Sequence, residues 1–463
     1  MILLPLAVTN GASKSMQLDE RDEAIHKAMA AIEAATPVAS ADPDRPAFHF
    51  HAPAQWINDP NGPIFYKGWY HLFFQYNPYG DQWDHMHWGH ARSRDLIHWE
   101  NLPVALWPSE SLGEHHVFSG STFLDGDGKP VAFYTSIGAP EPEQWSARPD
   151  DDDLVRWTKI PHVLTQKDNP EPIAEWRDPF VFRFDGQVHM LTGGGLHGRG
   201  SVFLYTAQDP ELRHWKYDGV FFAHPDADVA NVECPNIALI DGKWVLFTSV
   251  HGRVEWFTGH IQNRRFLMEH RGVAYPGGYA SQIVQDVPGR TIYLSWVNTG
   301  EHKGWNGFHT LPTELHVSAD GQLEMTPCRE LRHLRRHESR EEIGSLSGSK
   351  ILDAHGDELE LSFTLHRESC SKFSLLLRGG ALSISYDPAT KTLSCGPTSV
   401  ILDGAEKELK LDVFLDKTAV DVFSSGAHAL TAHVPHADQD TVSLEVQNGP
   451  AQITDLRIWT LGL

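Results

Sequence analysis

Apolar side chains between residues 19 and 35 recur at helical spacing, with Ala24, Ile25, Ala28, Met29 and Ile32 on one face and acidic residues near the start. This predicts a short N-terminal helix over 19–35, leading into a Pro-containing stretch from Pro37 to Pro46. Beyond it the period changes. Segments 69–74, 181–184, 243–247 and 291–294 are short, aromatic and β-branched, and Gly-bearing turns flank them, which predicts strands. Further strands are expected at 359–363, 381–385, 409–414, 419–423 and 442–446. Between the two sets, 329–340 is basic and patterned like a helix, its Arg and His side chains reading as a solvated surface.

An internal repeat decides the architecture. Asp95-Leu96-Ile97-His98-Trp99, Asp153-Leu154-Val155-Arg156-Trp157 and Glu211-Leu212-Arg213-His214-Trp215 share acid-Leu-x-x-Trp, each Trp 58 residues after the last. A second phrase runs beside it. Arg177-Asp178-Pro179 lies 119 residues after Asn58-Asp59-Pro60, Glu233-Cys234-Pro235 follows 55 residues later, and Phe118-Ser119-Gly120 falls between the first two. A period in the fifties with several strands per unit predicts a propeller rather than a helical solenoid, and residues 50–325 leave room for five blades of about 55 residues. The expected fold class is therefore all-β. A helical N-terminal extension (1–46) precedes a five-bladed β-propeller (47–327), a linker (328–345) and a smaller β-sandwich (346–463).

Charge narrows the partners. With 38 basic and 61 acidic residues the net charge is −23, which disfavours nucleic acid and anionic membrane surfaces. No apolar run reaches the length needed to span a bilayer. Aromatics are 10% of the chain, with 15 Trp, enough to leave flat faces for a ligand such as a sugar. The four cysteines are scattered at 234, 328, 370 and 395, so free thiols are expected, although Cys370 and Cys395 are placed where they could pair. Residues 1–7 are apolar but lack a basic flank, and no Asn-x-Ser/Thr acceptor occurs. These features point to a cytoplasmic protein.

If each repeated phrase occupies the innermost strand of a blade, Asp59, Asp178 and Glu233 converge at one end of the axial channel. Three carboxylates in an aromatic funnel suit glycoside chemistry, with one nucleophile, one proton donor and one group holding sugar hydroxyls. An acid beside Pro can also simply support a turn. Turns, however, do not need the surrounding Trp56, Asn58, Asn61 and Arg177.

Trp56-Ile57-Asn58-Asp59-Pro60-Asn61-Gly62 resembles the signature of family 32 glycoside hydrolases, the invertases, inulinases and levanases. The likeness continues in order through Gln75-Tyr76-Asn77-Pro78, His87-Trp88-Gly89-His90-Ala91, Phe118-Ser119-Gly120-Ser121, Arg177-Asp178-Pro179 and Glu233-Cys234-Pro235. Near the end, Asp416-Lys417-Thr418-Ala419-Val420-Asp421-Val422-Phe423 looks like the family's sandwich motif, so the resemblance covers roughly residues 47–460. It implies a retaining, exo-acting hydrolase of β-D-fructofuranosides such as sucrose, fructo-oligosaccharides or fructans. Asp59 would be nucleophile, Glu233 acid/base and Asp178 transition-state stabiliser, and no cofactor or metal would be needed. Trp56, Asn58, Gln75, Trp83, Phe118, Ser119, Arg177 and Trp296 would shape the pocket for a terminal fructose. Arg177 would keep Asp178 ionised and oriented. Cys234, next to the acid, would either tune it through a weak hydrogen bond or simply pack.

Three departures bear on the leaving-group side. Asn236 stands where Cys-Pro-Asp is usual, Thr313 replaces a common Arg, and 274–280, with Tyr275, Gly278 and Tyr279, lacks the two acids of the common run. Other motifs carry less. Gly193-Gly194-Gly195-Leu196-His197-Gly198 fits a phosphate-loop pattern, but a strand-like segment at 202–206 follows where a helix is required. The pairs His49/His51, His85/His87 and His115/His116 lack a Cys/His quartet of ligand spacing. Two competing readings stay open on sequence: a fructosyltransferase using the same covalent intermediate, and a non-catalytic sugar-binding propeller.

Overall fold

The computed structural model describes residues 9–138, 141–300, 303–366, 370–402, 408–425, 428–434 and 437–463. The apolar start at 1–7 lies outside them. Five antiparallel sheets follow one another along the chain as the blades of a propeller. Their innermost strands are Gln55–Tyr66, Glu114–Leu124, Ala174–Phe184, Glu233–Ile240 and Tyr279–Val284, and each contacts the next around the axis. The ring closes where Trp305–Asn306, from blade 5, pairs in parallel with Gln55 and Trp56 of blade 1. Bulky apolar side chains fill the spaces between blades, as in the cluster of Phe73, Trp88, Tyr134, Trp145 and Trp157 between the first two.

The acid-Leu-x-x-Trp repeat is a turn entering the outermost strand of blades 1, 2 and 3. Leu96, Leu154 and Leu212 adopt left-handed backbone (φ 65°, 59° and 59°). The following Trp99, Trp157 and Trp215 each donate an indole N–H to that leucine's carbonyl, at 3.1, 2.7 and 3.1 Å. In blade 4 the same corner is a tight turn at Asn263 and Arg264, both at positive φ (50° and 62°), so the repeat stops there. The glycine run 193–195 lies in the strand Gln187–Leu196, not in a phosphate loop. A Cβ on Gly193 or Gly195 would meet the carbonyl of Val232 or Ala230 at 2.4 and 2.2 Å. The bare backbone thus lets blade 3 close against the segment that delivers Glu233.

Two expectations fail in detail. The N-terminal helix spans Thr9–Ser40, past Pro37. Pro37 cannot donate to the preceding turn, but Thr36 Oγ1 donates to Ile32 O (2.8 Å), and Ala39 is buried with Ala54 and Trp305. Tertiary packing carries the last turn. Segment 329–340 is no helix beyond the 3-10 turn Arg329–Leu334. Arg335–Glu341 and Gly344–Ile351 are strands paired with Ser443–Leu461, so half of the expected linker belongs to the C-terminal sheet. Arg335 is fixed there by a bidentate pair with Glu360 and by lying over the Trp459 ring at 3.9 Å.

The C-terminal domain is a β-sandwich whose two layers are joined by the long strand Ser443–Leu461. Its first half pairs with Lys372–Leu377 and its second with Glu358–His366. The core is aliphatic, including Leu361, Leu411, Val413, Val422 and Ile453. All four cysteines are buried and free, Cys370 and Cys395 included.

Propeller and sandwich meet at a buried polar clamp. Asp416 accepts the backbone N–H groups of Ala47, Phe48 and His49 (2.6, 2.9 and 2.8 Å) and His49 Nδ1 (2.7 Å), while His49 Nε2 reaches Asp421 (2.5 Å). Burial alone would drive the imidazole neutral, but the two carboxylates outweigh it and raise His49 to about 9. The unfolded histidine titrates near 6.5, so this stabilisation is complete below about pH 6.5 and is lost as pH rises through about 9. Thermal melts from pH 6 to 9.5 should therefore show a fall worth on the order of 3 kcal/mol over that window. His49→Gln should start lower and lack that fall. A variant with the wild-type pH profile would rule the clamp out as its source.

Candidate active site

All five inner strands carry a β-bulge at the equivalent place. Ile57 faces Tyr76 but Pro60 faces Phe74, and one extra residue is likewise inserted between Val117 and Gly120, Arg177 and Phe180, Glu233 and Asn236, and Tyr279 and Gln282. Asp178, Cys234 and Ala280 sit there with left-handed backbone (φ 62°, 48° and 50°). A bulge bends the strand and re-aims its side chains, and it interrupts the ladder where Pro60, Pro179 and Pro235 have no N–H to give. The repeated phrases are thus the bulges, and their side chains point into one funnel.

That funnel is a cavity of about 270 Å³ lined by every residue expected there: Asp59, Asp178, Glu233, Trp56, Asn58, Gln75, Trp83, Phe118, Ser119, Arg177 and Trp296. Cys234 and Tyr279 complete it. Asp59 accepts from Asn58 Nδ2 (3.0 Å), Ser119 Oγ (2.5 Å) and Cys234 Sγ (3.5 Å). Asn58 is itself held by the Trp56 indole N–H at 2.7 Å, and its carbonyl by His309 Nε2 at 2.8 Å. Gln75 donates to Val117 O (2.8 Å), tying blade 1 to blade 2. Trp56 and Trp296 pack edge to face at 5.5 Å, and Trp83, 48% exposed and stacked on His116, stands at the mouth.

The three carboxyls differ in their partners. Burial pushes Asp59 above the usual carboxylate range, against the hydrogen bonds from Ser119 and Asn58. Burial likewise drives Asp178 up to about 7, opposed by Arg177 and by the Cys234 N–H at 2.8 Å, and aided by Glu233 and Asp59. The expected Arg177–Asp178 pairing is loose, with Nε at 3.9 Å. The guanidinium instead engages Glu233, and Glu175 at 2.6 Å. Asp178 is positioned mainly by backbone: its own N–H donates to Thr135 Oγ1 at 2.9 Å. Glu233 accepts Arg177 on one oxygen and the Tyr279 phenol on the other. Burial, reinforced by Glu233, keeps that phenol protonated far above its ordinary range, so Tyr279 is a permanent donor.

Tyr279 was visible only as part of a run that lacks the expected acids; its partner lies 46 residues away. Asn236, another of the departures, is fully buried and donates to Cys234 O and Ser281 O (3.0 and 2.8 Å), stitching the bulges of blades 4 and 5 together. The histidine pairs serve elsewhere, His49 in the clamp and His116 under Trp83. Among the described residues, His224, Asp226 and Glu255 come within metal-ligating reach of one another, but Arg253 and Arg271 already engage the two acids.

A propeller whose funnel gathers three carboxyls among aromatic rings is suited to glycoside chemistry. The family model for the glycosyl hydrolases family 32 N-terminal domain matches residues 49–327, and that for the family 32 C terminal matches 329–460. The chain belongs to glycosyl hydrolase family 32 and is a hydrolase of the β-fructofuranosidase type. It is 30% identical to a sucrose-6-phosphate hydrolase of Zymomonas mobilis, over 90% of this chain and 92% of that one. It is also 30% identical to a raffinose invertase of Escherichia coli, over 90% and 95%. Among solved structures, the Bombyx mori family 32 β-fructofuranosidase superposes with a TM-score of 0.82 at 24% identity, covering 95% of this chain and 98% of that one.

Proposed function

We propose that the protein releases terminal β-D-fructofuranosyl units from sucrose or related fructosides by an exo, double-displacement reaction. The observation that carries this reading is the convergence of Asp59, Asp178 and Glu233, from three bulges, on one small pocket. Asp59, aimed by Asn58 and Ser119, attacks the anomeric carbon while Glu233, once protonated, gives its proton to the departing oxygen. Glu233 then takes a proton from the water that hydrolyses the fructosyl-enzyme. Asp178 accepts adjacent ring hydroxyls, and its negative charge gains value as the ring approaches an oxocarbenium ion.

Sucrose should be hydrolysed to equal glucose and fructose, and excess glucose would signal transfer to sugar instead of water. A pocket for one terminal unit also excludes internal chain units, so inulin or levan should yield free fructose from the first time points. Early three- to five-unit fragments without monomer would sink the exo assignment.

A further inference from the structure

The crossover from blade 4 to blade 5, Tyr275-Pro276-Gly277-Gly278-Tyr279, touches the acid/base at one end and the sandwich at the other. Tyr275 is fully buried. Its hydroxyl donates to Asp421, which also meets His49, and its ring stands edge-on to Phe423 at 5.8 Å. Next along, Pro276 O accepts the Thr431 N–H at 2.9 Å. Gly277 lies so close that a Cβ would meet Thr431 O at 2.1 Å, and its φ of 99° admits no ordinary side chain. Gly278 N–H closes the turn onto Tyr275 O at 2.9 Å. The chain then delivers Tyr279, whose phenol donates to Glu233. Asp421, Phe423 and Thr431 all belong to the sandwich strands Ala419–Ser424 and His428–His433.

We infer that the C-terminal sandwich is a working part of the active site, and that Tyr275 and Asp421 are positioning residues that set Tyr279 against the Glu233 carboxyl. Within the propeller Tyr275 stacks on Tyr293 and its hydroxyl meets Thr313, and Tyr279 pairs with Trp296; the sandwich adds Asp421 on the polar end of Tyr275 and Thr431 on the backbone of Pro276. A slack crossover would leave Tyr279 misplaced, and a displacement of the order of an ångström is enough to weaken a hydrogen bond whose geometry the reaction uses. The inference rests on Glu233 being the acid/base.

The test is a pair of conservative variants in the full-length protein, assayed on two substrates. Tyr275→Phe removes only the hydroxyl and leaves the ring packed on Tyr293 and Phe423. It should lower kcat on sucrose about tenfold, with KM little changed, yet leave turnover of β-fructofuranosyl fluoride in the presence of azide within about twofold, because fluoride departs with little help from a proton and azide attacks without a base. Tyr279→Phe should show the same split between substrates. In the double variant the second change should add nothing to the first, since both act through one hydrogen bond. Should Tyr275→Phe fail to fold, Asp421→Ala, which removes the acceptor of the phenol, takes its place in the same cycle. Equal losses on both substrates, or effects that simply multiply in the double variant, would overturn the inference. Glu233→Ala, assayed on the fluoride with azide present, serves as the reference. If it shows the substrate split and the tyrosine variants do not, the positioning role alone fails; if it does not, the acid/base assignment itself is wrong.

Discussion

Asp178→Asn should lower kcat on sucrose by about 10³ or more, on the order of 4 kcal/mol, while weakening the binding of free fructose far less. The amide keeps the shape of the carboxyl and can still accept from the Cys234 N–H. What it lacks is a full negative charge beside a ring that becomes cationic only at the transition state. The asymmetry between kcat and binding follows from that, because an interaction that exists mainly in the transition state leaves the ground state almost untouched. The environment also fixes a pH effect. Burial holds both Asp59 and Asp178 above the ordinary carboxylate range, Asp178 at about 7. In the free enzyme the ionised forms are therefore lost as pH falls through values higher than the usual 4, and the acid limb of kcat/KM should be displaced upward accordingly. These groups share one small pocket, so the limb belongs to the set rather than to a single residue. Near-normal turnover in Asp178→Asn would make this acid structural. An acid limb at or below pH 4 would show that burial does not hold these carboxyls up in the free enzyme.

The propeller and the three carboxyls were legible because they repeat. A bulge that must bear a functional side chain and break the ladder leaves a short phrase in each blade, and Asp59-Pro60 and Asp178-Pro179 show it most plainly. The Leu-x-x-Trp corners were legible for the same reason: an indole that reaches back to the leucine carbonyl demands fixed spacing. Contacts that occur once leave no such mark. Nothing in the sequence around 416–423 says that Asp416 and Asp421 grip His49 some 370 residues earlier, since the bonds form only when propeller and sandwich meet. Strand Arg335–Glu341 was read as helix because its middle residues are all exposed and show no apolar alternation; its place is set by backbone pairing with Leu456–Leu461. The end of the N-terminal helix was missed because Pro37 is a local stop signal that burial of Ala39 overrides. Arg177 was expected to serve Asp178 alone. Its charge does favour the ionised Asp178, but at the bulge the guanidinium also bonds Glu233, a contact that adjacency in sequence does not show.

Glu233→Ala and Asp59→Ala should both cripple sucrose cleavage, by about 10³ and about 10⁴ or more respectively, yet part company on β-fructofuranosyl fluoride. Loss of Glu233 removes the proton needed by a sugar leaving group. Fluoride needs far less, so Asp59, still oriented by Asn58 and Ser119, can attack and form the fructosyl-enzyme. The intermediate then waits for a nucleophile, because the base that would activate water is gone. Azide needs no such activation and fits the space the carboxyl vacates between Arg177 and Tyr279. It should restore turnover and give a β-fructosyl azide, since two inversions at the anomeric carbon leave net retention. Without Asp59 no covalent intermediate forms from either substrate, and azide should restore nothing of retained configuration. The measurement is turnover of both substrates by both variants, with product configuration from NMR. Equal loss of fluoride and sucrose activity in Glu233→Ala with azide present, or an azide product of inverted configuration, would show that the roles of the two carboxyls are not those their surroundings indicate.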